Sequence, residues 1–556
     1  VGAFLYLEEG RAVGIREERV PRALRRLVGE VSRVRTHDVS PRDDTVIVEG
    51  EQGEAAAHDE RELGSRVVAM RTEIRPAISG HEEALHRIPV RCMNCVVRAA
   101  ARTCRGFRGE LVEYGGGDDL HEGVILKRGP VSMTRMNDSP LLRRLAGLGA
   151  GLVLASTVFA AESPGELLLT GTRIYVSPDT PPIDGGAVLV RDGKIAAVGA
   201  MQARGVTPSA ECSGGVVMAG FNNSHVHFMR DRWSDVQRKP AAELNRSLAE
   251  MLTRYGYTTV VDTGSNRDDT LALRTRIERG ELEGPRILMV GEPLFPPQGI
   301  PIYLLDLPAH ARERFAQPAD AAAAVAVVDA NFDAGANGTK LFLVTPQRQG
   351  RNASMPREIA RAAAERTHRR GGFVMAHPTN LDGVRAALDA RVDVLTHTTL
   401  GSEAPWPDEL LRDVVAADMA MIPTLKLLGH ELKKQDVPDE IAQRLTVAAL
   451  KSVGTFVAAG GTVVFGTDVG YMTDFDPTEE YVLLARAGLD TMQILASLTT
   501  TPAARWGESE RRGRLRPGMD ADIVVLGVDP ASDPGSFASV RCTIRGGRII
   551  YAKTRA

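Results

Sequence analysis

A chain of 556 residues, 43% hydrophobic and 25% charged, has room for two or three domains and a large buried core. Its formal net charge of −3 excludes a global pull toward nucleic acid or an anionic membrane. Five cysteines at this length do not make a disulfide framework.

Residues 1–132 carry dense charge, as in Arg16-Glu17-Glu18-Arg19 and Asp59-Glu60-Arg61-Glu62, and no helical or alternating period persists. Cys92, Cys95 and Cys104 form a cluster, but His81, His86 and His121 stand at no finger spacing from it. The expectation for 1–135 is a poorly ordered or non-native extension. The run Leu145–Ala161 follows Arg143-Arg144 and ends in small residues before Glu162-Ser163-Pro164, the anatomy of a secretory signal peptide. An internal membrane helix is the alternative, yet the run is short for a span and rich in glycine and alanine. Met133 and Met136 lie just upstream, and either as the start places this segment at an N-terminus. Val1 fits an alternative start codon read too far upstream. A signal peptide at 136–161 implies a periplasmic or secreted protein with no membrane attachment after cleavage.

From Gly165 the texture changes to short β-rich runs: Leu167–Leu169 with Arg173–Val176, Gly186–Val190 and Ile195–Gly199, with Asp192-Gly193 as a hairpin signal. The same texture returns in Ile523–Leu526, Val540–Ile544 and Arg548–Tyr551, the last two flanking Gly546-Gly547. Segments 162–217 and 510–556 are therefore expected to build one small β-sandwich domain from both sides of the middle.

The middle, 218–509, alternates short apolar strands with longer helical stretches. After Val216–Phe228 come Thr258–Thr263, Arg286–Val290, Thr339–Val344, Phe373–Ala376, Val392–Thr396, Met419–Pro423 and Thr462–Gly466. Between several of them lie amphipathic stretches such as Pro318–Ala334, Arg357–Arg370 and Ile441–Ala459. Eight such alternations are the pattern of an α/β (β/α)8 TIM barrel, whose site lies at the C-terminal ends of its strands.

The chemistry-bearing residues fall on those ends. Gly220–Phe228 reads GFNNSHVHF. On a strand, His225 and His227 point the same way, and two neutral imidazoles converging on one spot suit a borderline cation such as zinc. Lys340 lies on the fourth strand, His377 ends the fifth, His397 ends the sixth, and Asp468 follows the eighth. Any one of these could be a satisfied core polar group; all of them on one rim are hard to explain structurally. His310, His368 and His430 fall in helical or loop segments and read as surface residues. A lysine on a buried strand is desolvated, which favours the neutral amine. Such an amine can take up carbon dioxide to form a carbamate whose two oxygens bridge two metal ions; the competing reading pairs Lys340 with a carboxylate.

With these motifs in view, residues 165–552 resemble the amidohydrolase superfamily, especially its imidazolonepropionase-like and prolidase-like branch. Thr501-Pro502-Ala503-Ala504 and Gly513-Arg514-Leu515-Arg516-Pro517-Gly518-Met519-Asp520-Ala521-Asp522-Ile523-Val524 are similar to that family's exit from barrel into sheet domain. The resemblance implies that His225, His227 and Asp468 hold one metal, and that Lys340, carbamylated, bridges to a second held by His377 and His397. It departs at Asn222-Asn223-Ser224, where the family often has an acidic or polar residue and a small apolar one. Zinc is the metal expected, with manganese and iron as alternatives, and one ion as the alternative to two. The implied reaction is hydrolysis of a carbon–nitrogen bond in an amide, cyclic amide or dipeptide by a metal-activated water, with Asp468 moving the proton. An ester or phosphoester hydrolase with the same metal centre, and a non-catalytic metal-binding barrel, are the alternatives. The partner is a small-molecule substrate; a homo-oligomer is left open. Substrate choice is assigned to the loops at Phe295–Pro297 through Ile302–Leu304, Ala404–Trp406 and Gly470–Met472, with Arg230, Arg232 and Arg348 as candidates for a substrate carboxylate or as solvated charges.

Overall fold

The computed structural model describes residues 165–200, 205–305, 315–399 and 405–553. The extension at 1–135, the Cys92/Cys95/Cys104 cluster, the segment at 136–161, His310 and Ala404 lie outside the described residues.

Seven strands form one sheet from both flanks of the chain: β1 (Leu167–Tyr175), β2 (Ile183–Arg191), β3 (Lys194–Gly199) and β4 (Gly215–Ala219), with three strands from the far end. The order continues from β3 through β2, β1 and β4 into those late strands. Asp192 and Gly193, at φ 49° and 74°, make the tight turn between β2 and β3 that their sequence predicts. β4 runs to Ala219, slightly past the expected boundary at 217. The sheet encloses its own core, including Leu169, Ile174, Val188, Val217, Ile523, Val525 and Ile544. It is also clasped by a disulfide between Cys212 and Cys542, whose Cα atoms are 5.4 Å apart across 330 residues of chain. No spacing signal in the sequence pointed to that pairing.

Between the flanks lie β5 (Phe221–Val226), β6 (Tyr257–Asp262), β7 (Arg286–Met289), β8 (Gly338–Phe342), β9 (Val344–Pro346), β10 (Asn352–Ser354), β11 (Phe373–His377), β12 (Val394–Thr396) and β13 (Ala420–Ile422). The helices in the same stretch include α1 (Ala241–Met251), α2 (Arg267–Glu278), α3 (Ala321–Asp333), α4 (Arg357–Arg369), α5 (Leu381–Asp389), α6 (Asp408–Ala416), α7 (Leu425–Lys434), α8 (Asp439–Ala458), α9 (Thr478–Arg486), α10 (Thr491–Leu498) and α11 (Thr500–Arg505). The chain ends in β14 (Ile523–Leu526), β15 (Val540–Arg545) and β16 (Arg548–Ala552), which complete the seven-stranded sheet. α4 shows why such segments coil. Ile359, Ala360, Ala363, Ala364 and Thr367 repeat at helical spacing and are buried, while Glu358 opens the helix and Arg366, His368 and Arg369 close it, complementing its dipole. No described helix is long and apolar enough to cross a membrane.

Strands β5, β6 and β7 pair in parallel, as do β8, β11, β12 and β13. Isolated parallel bridges connect the two groups: Leu294 with Leu341, Met421 with Val463, and Val226 with Val469. Backbone bonds from Ser224 to Phe465, from Asp468 to His225 and from His227 to Val469 bring the hydrogen bonding back to β5. Within this circuit Val261, Val290, Met375, Val394, Ala420, Ile422 and Val464 pack on one another. The eighth expected strand, Thr462–Gly466, carries only the bridge at Val463. There Gly466 slips beside His225, where an added Cβ would fall 2.8 Å from the His225 Cβ, so the segment approaches the site too closely for a regular side-chain register.

Candidate functional site

β5 carries His225 near its end and leads directly into His227. A register shift between Asn223 and Val226 interrupts its ladder with β6, and the imidazoles of His225 and His227 come to 5.3 Å between ring centroids. His227 Nδ1 donates to the Gly264 carbonyl at 2.9 Å, which turns Nε2 toward the site and the Asp468 carboxylate. The loop that offers that carbonyl is itself pinned. Buried Asp262 accepts from Ser265 Oγ at 2.5 Å and from Thr270 Oγ1 at 2.9 Å, and Ser265 Oγ accepts from the Phe228 amide.

Asp468 sits at φ 60° and His397 at φ 74°, backbone conformations that L-residues rarely hold without support from the surrounding fold. Gly470 gives Asp468 its place: its φ is 99°, and a Cβ there would collide with the His227 carbonyl oxygen at 1.8 Å. Asp468 Oδ1 lies 3.0 Å from His227 Nε2 and 3.5 Å from His225 Nε2, while Oδ2 lies 3.9 Å from His397 Nε2. Donor atoms of His225, His397 and Asp468 all fall within 4.8 Å of one another. The His397 ring is 4.8 Å from that of His225 and 4.8 Å from that of His377. His397 Nδ1 meets Thr424 Oγ1 at 2.5 Å; that hydroxyl donates to the Pro423 carbonyl and so accepts from the imidazole, leaving Nε2 free.

Lys340 is 1% exposed, and its ammonium nitrogen donates to the Thr396 hydroxyl, which in turn donates to the Ala376 carbonyl at 3.0 Å. Its partner is a neutral hydroxyl rather than a carboxylate. Burial pushes the amine down to about 7, with Asp468 opposing. Burial, and then the Lys340 charge, pushes His377 down to about 3; the same causes hold His225 well below the usual imidazole range. His397 is also held well below it by burial, followed by His377 and Lys340. For His227 burial is outweighed by the bond to Asp468, so it moves up. Three neutral imidazoles, one imidazole on a carboxylate and one amine that gives up its proton near neutrality share a buried pocket. That donor set suits a divalent metal: the Nε2 atoms of His225, His227 and His397 all lie within 3.9 Å of the Asp468 carboxylate.

All six residues singled out from the sequence thus gather at one place. Among the remaining histidines, His368 pairs with Asp393 at 2.9 Å and about a third of its side chain is exposed, as expected of a surface residue. His430, expected at the surface, is half-buried and sits 6.4 Å from the Tyr471 ring. Of the substrate-loop aromatics, Tyr303 and Tyr471 reach the site. Trp406 does not: it is 7% exposed, donates to Thr399 Oγ1 and packs in the main core. Arg230 is engaged with the Gly470 and Tyr471 carbonyls, and Arg232 with Glu250 and the Phe475 ring. Arg348 is exposed. The supporting residues Thr396, Thr424, Asp262 and Ser265 were not singled out from the sequence. Only the polar run Asp262-Thr263-Gly264-Ser265 at a strand end hinted at them.

The profile of the amidohydrolase family matches residues 216–550, more than half of the chain. The chain belongs to the amidohydrolase family. Among solved structures, a Xaa-Pro dipeptidase with methionine in its active site superposes at TM-score 0.60 and 18% identity, covering 70% of this chain and all of that one. A prolidase-like protein of Bifidobacterium longum superposes at 0.57 and 24% identity, covering 71% of this chain and 97% of that one. At such identities these neighbours show a shared TIM-barrel-containing α/β fold of the prolidase-like kind. In sequence, the ochratoxinase of Aspergillus niger is 25% identical over 204 residues, 35% of this chain and 41% of that protein. The chain therefore spans about two-fifths of that relative's length.

Proposed function

We propose that this amidohydrolase is metal-dependent and cleaves the amide-type bond of a dipeptide, N-acyl amino acid or cyclic amide. The observation that carries the reading is the gathering of four imidazoles and Asp468 around a buried lysine whose partner is a hydroxyl. In this reading His225, His227 and Asp468 would hold one zinc ion, His377 and His397 would hold a second, and Lys340 would serve both as its carbamate. The ions supply an acidified water and a polarised carbonyl. The residues of the chain do the rest. Asp468, shielded from bulk water, accepts a proton from the water as its oxygen bonds to the carbonyl carbon. It returns that proton to the nitrogen as the carbon–nitrogen bond breaks, so the amine leaves neutral and the carboxylate is restored.

The circuit of parallel strands supports an eight-stranded (β/α)8 barrel over 218–509, and the enclosed core of the seven-stranded sheet supports a sandwich built from 162–217 and 510–556. We further propose that 1–135 are dispensable and that the segment at 136–161 is a signal peptide cut near Ala160 or Ala161. The protein would then work in the periplasm or outside the cell. The Cys212–Cys542 disulfide supports that compartment, since such bonds persist where the surroundings are oxidising. Metal analysis of the purified protein, with a screen of dipeptides and cyclic amides before and after chelation, tests the activity. Turnover that survives complete metal removal would overturn it. Intact-mass analysis from the native host tests export; a mature chain still carrying residues 1–161 in the cytosol would count against it.

A further inference from the structure

The substrate-facing loop after β7 holds a hydroxyl that the site described so far does not use. Tyr303 lies in a single 3-10 turn, Ile302–Leu304, introduced by Pro301. Its ring packs 6.3 Å from that of His377 and 6.5 Å from that of Tyr471, so the phenol stands beside the histidine at the end of β11. The hydroxyl is shielded from solvent and has no hydrogen-bond partner in the structure. Buried tyrosine hydroxyls ordinarily find a partner, and one that does not calls for an explanation. Tyr257 and Tyr481 also bury their hydroxyls, but these face each other beside Phe465 in the core. Tyr303 differs by location. It stands within electrostatic reach of Asp468 and Glu431, and burial followed by those carboxylates keeps the phenol protonated, hence a donor. Its neighbour Tyr471 is already committed, donating to Glu431 at 2.8 Å.

We propose that Tyr303 is a catalytic residue: its hydroxyl donates to the carbonyl oxygen of the bound amide and holds the oxyanion as the tetrahedral intermediate forms. This rests on the hydrolase reading above. A donor set where negative charge develops gains strength as the bond order of the carbonyl falls, so it favours the transition state over bound substrate. The unsatisfied hydroxyl is then a group waiting for its acceptor.

The test is Tyr303→Phe in the full, metal-loaded chain, which removes a hydroxyl that bonds to nothing in the structure and keeps the ring. Expected are a kcat lower by about 10²–10³-fold, a KM changed by less than about threefold, and an unchanged metal content. A second readout needs no turnover: inorganic phosphate, a tetrahedral oxyanion, should bind the variant about tenfold more weakly by calorimetry. Tyr257→Phe, which removes a buried hydroxyl from the core away from the site, should alter neither. Tyr303→His, which keeps a donor, should recover part of the loss. If Tyr303→Phe does not fold, Tyr303→His against Tyr303→Leu decides by the same measurements. Unchanged kcat with unchanged phosphate affinity overturns the proposal, as does a loss explained by lower metal content. Should wild type hydrolyse no amide at all, the hydrolase reading fails, and the phosphate comparison still decides whether Tyr303 is an oxyanion donor.

Discussion

Replacing Thr424 by valine isolates the support beneath one proposed metal ligand. The two side chains have nearly the same shape, both are β-branched, and Thr424 sits fully buried at φ 47°, so the backbone strain is the same before and after. What disappears is the hydroxyl that accepts from His397 Nδ1 at 2.5 Å and donates to the adjoining Pro423 carbonyl. With metal on Nε2, His397 must keep its proton on Nδ1, and in the variant that N–H is buried without a partner. Leaving such a donor unsatisfied costs about 1–3 kcal/mol. Changes of this kind behind a metal-bound histidine weaken metal binding about 10–100-fold, or about 1.4–2.7 kcal/mol, and the two routes agree. Without metal, the proton can move to Nε2, so the metal-free protein should lose only about 1 kcal/mol of stability. Competition with a chromophoric chelator gives the affinity, and urea denaturation of the metal-free form gives the stability. An affinity within twofold of wild type, or a metal-free form destabilised as much as metal binding is weakened, would refute the argument that Thr424 orients His397.

Lys340→Ala separates two metal ions from one: metal content should fall from two equivalents to one or none together with activity, and a short carboxylic acid should restore part of both. A site that binds one equivalent and keeps it would establish a simple structural lysine. Glu480, fully buried on α9, accepts from the Leu425 and Lys426 amides at the start of α7, and burial pushes it up to about 7 against those bonds. Because the folded value lies above the unfolded one, its stabilising share is fully present below about pH 4.5 and is lost as pH rises through 7. Wild type should lose about 3 kcal/mol relative to Glu480→Gln across that window, so parallel stability curves from pH 5 to 8 would contradict it. Breaking the Cys212–Cys542 disulfide, by reductant or by Cys542→Ala, should destabilise the protein by about 2–5 kcal/mol, read as a lower Tm; an unchanged Tm would show that the sheet stands without it.

The candidate site was legible because its residues end strands. An apolar run stopping at a histidine or aspartate places a polar group on the rim, and the sequence repeats that sentence at His377, His397 and Asp468. The alternation of strands and helices was legible for the same reason, down to α4, whose expected bounds differ from the observed ones by a single residue. The eighth strand was harder. Thr462–Gly466 has the composition of a strand, but its approach to His225 leaves one bridge instead of a ladder, and composition cannot report a close approach. The disulfide partners and the hydroxyls of Thr396 and Thr424 were invisible for a related cause. Each acts only once distant strands lie side by side, and a threonine in a β-rich run looks like any other.

The pairing of β4 with β14 sets a schedule as well as a shape. Val217 lies opposite Val525, and Cys212 meets its partner across 330 residues, so the first-made half of the sheet waits for almost the whole chain. At a synthesis rate of about 5–20 residues per second that wait is roughly 15–70 s. Throughout it, the apolar inner faces of β1 to β4 have no lid, and the strand that carries His225 and leads into His227 hangs from an unfinished support. The seven strands therefore act as a completion check. A ribosome that stalls before β14 releases a chain with every proposed metal ligand present and nothing to anchor the first two. Such a product exposes sticky strand edges to chaperones and proteases instead of passing as a working enzyme.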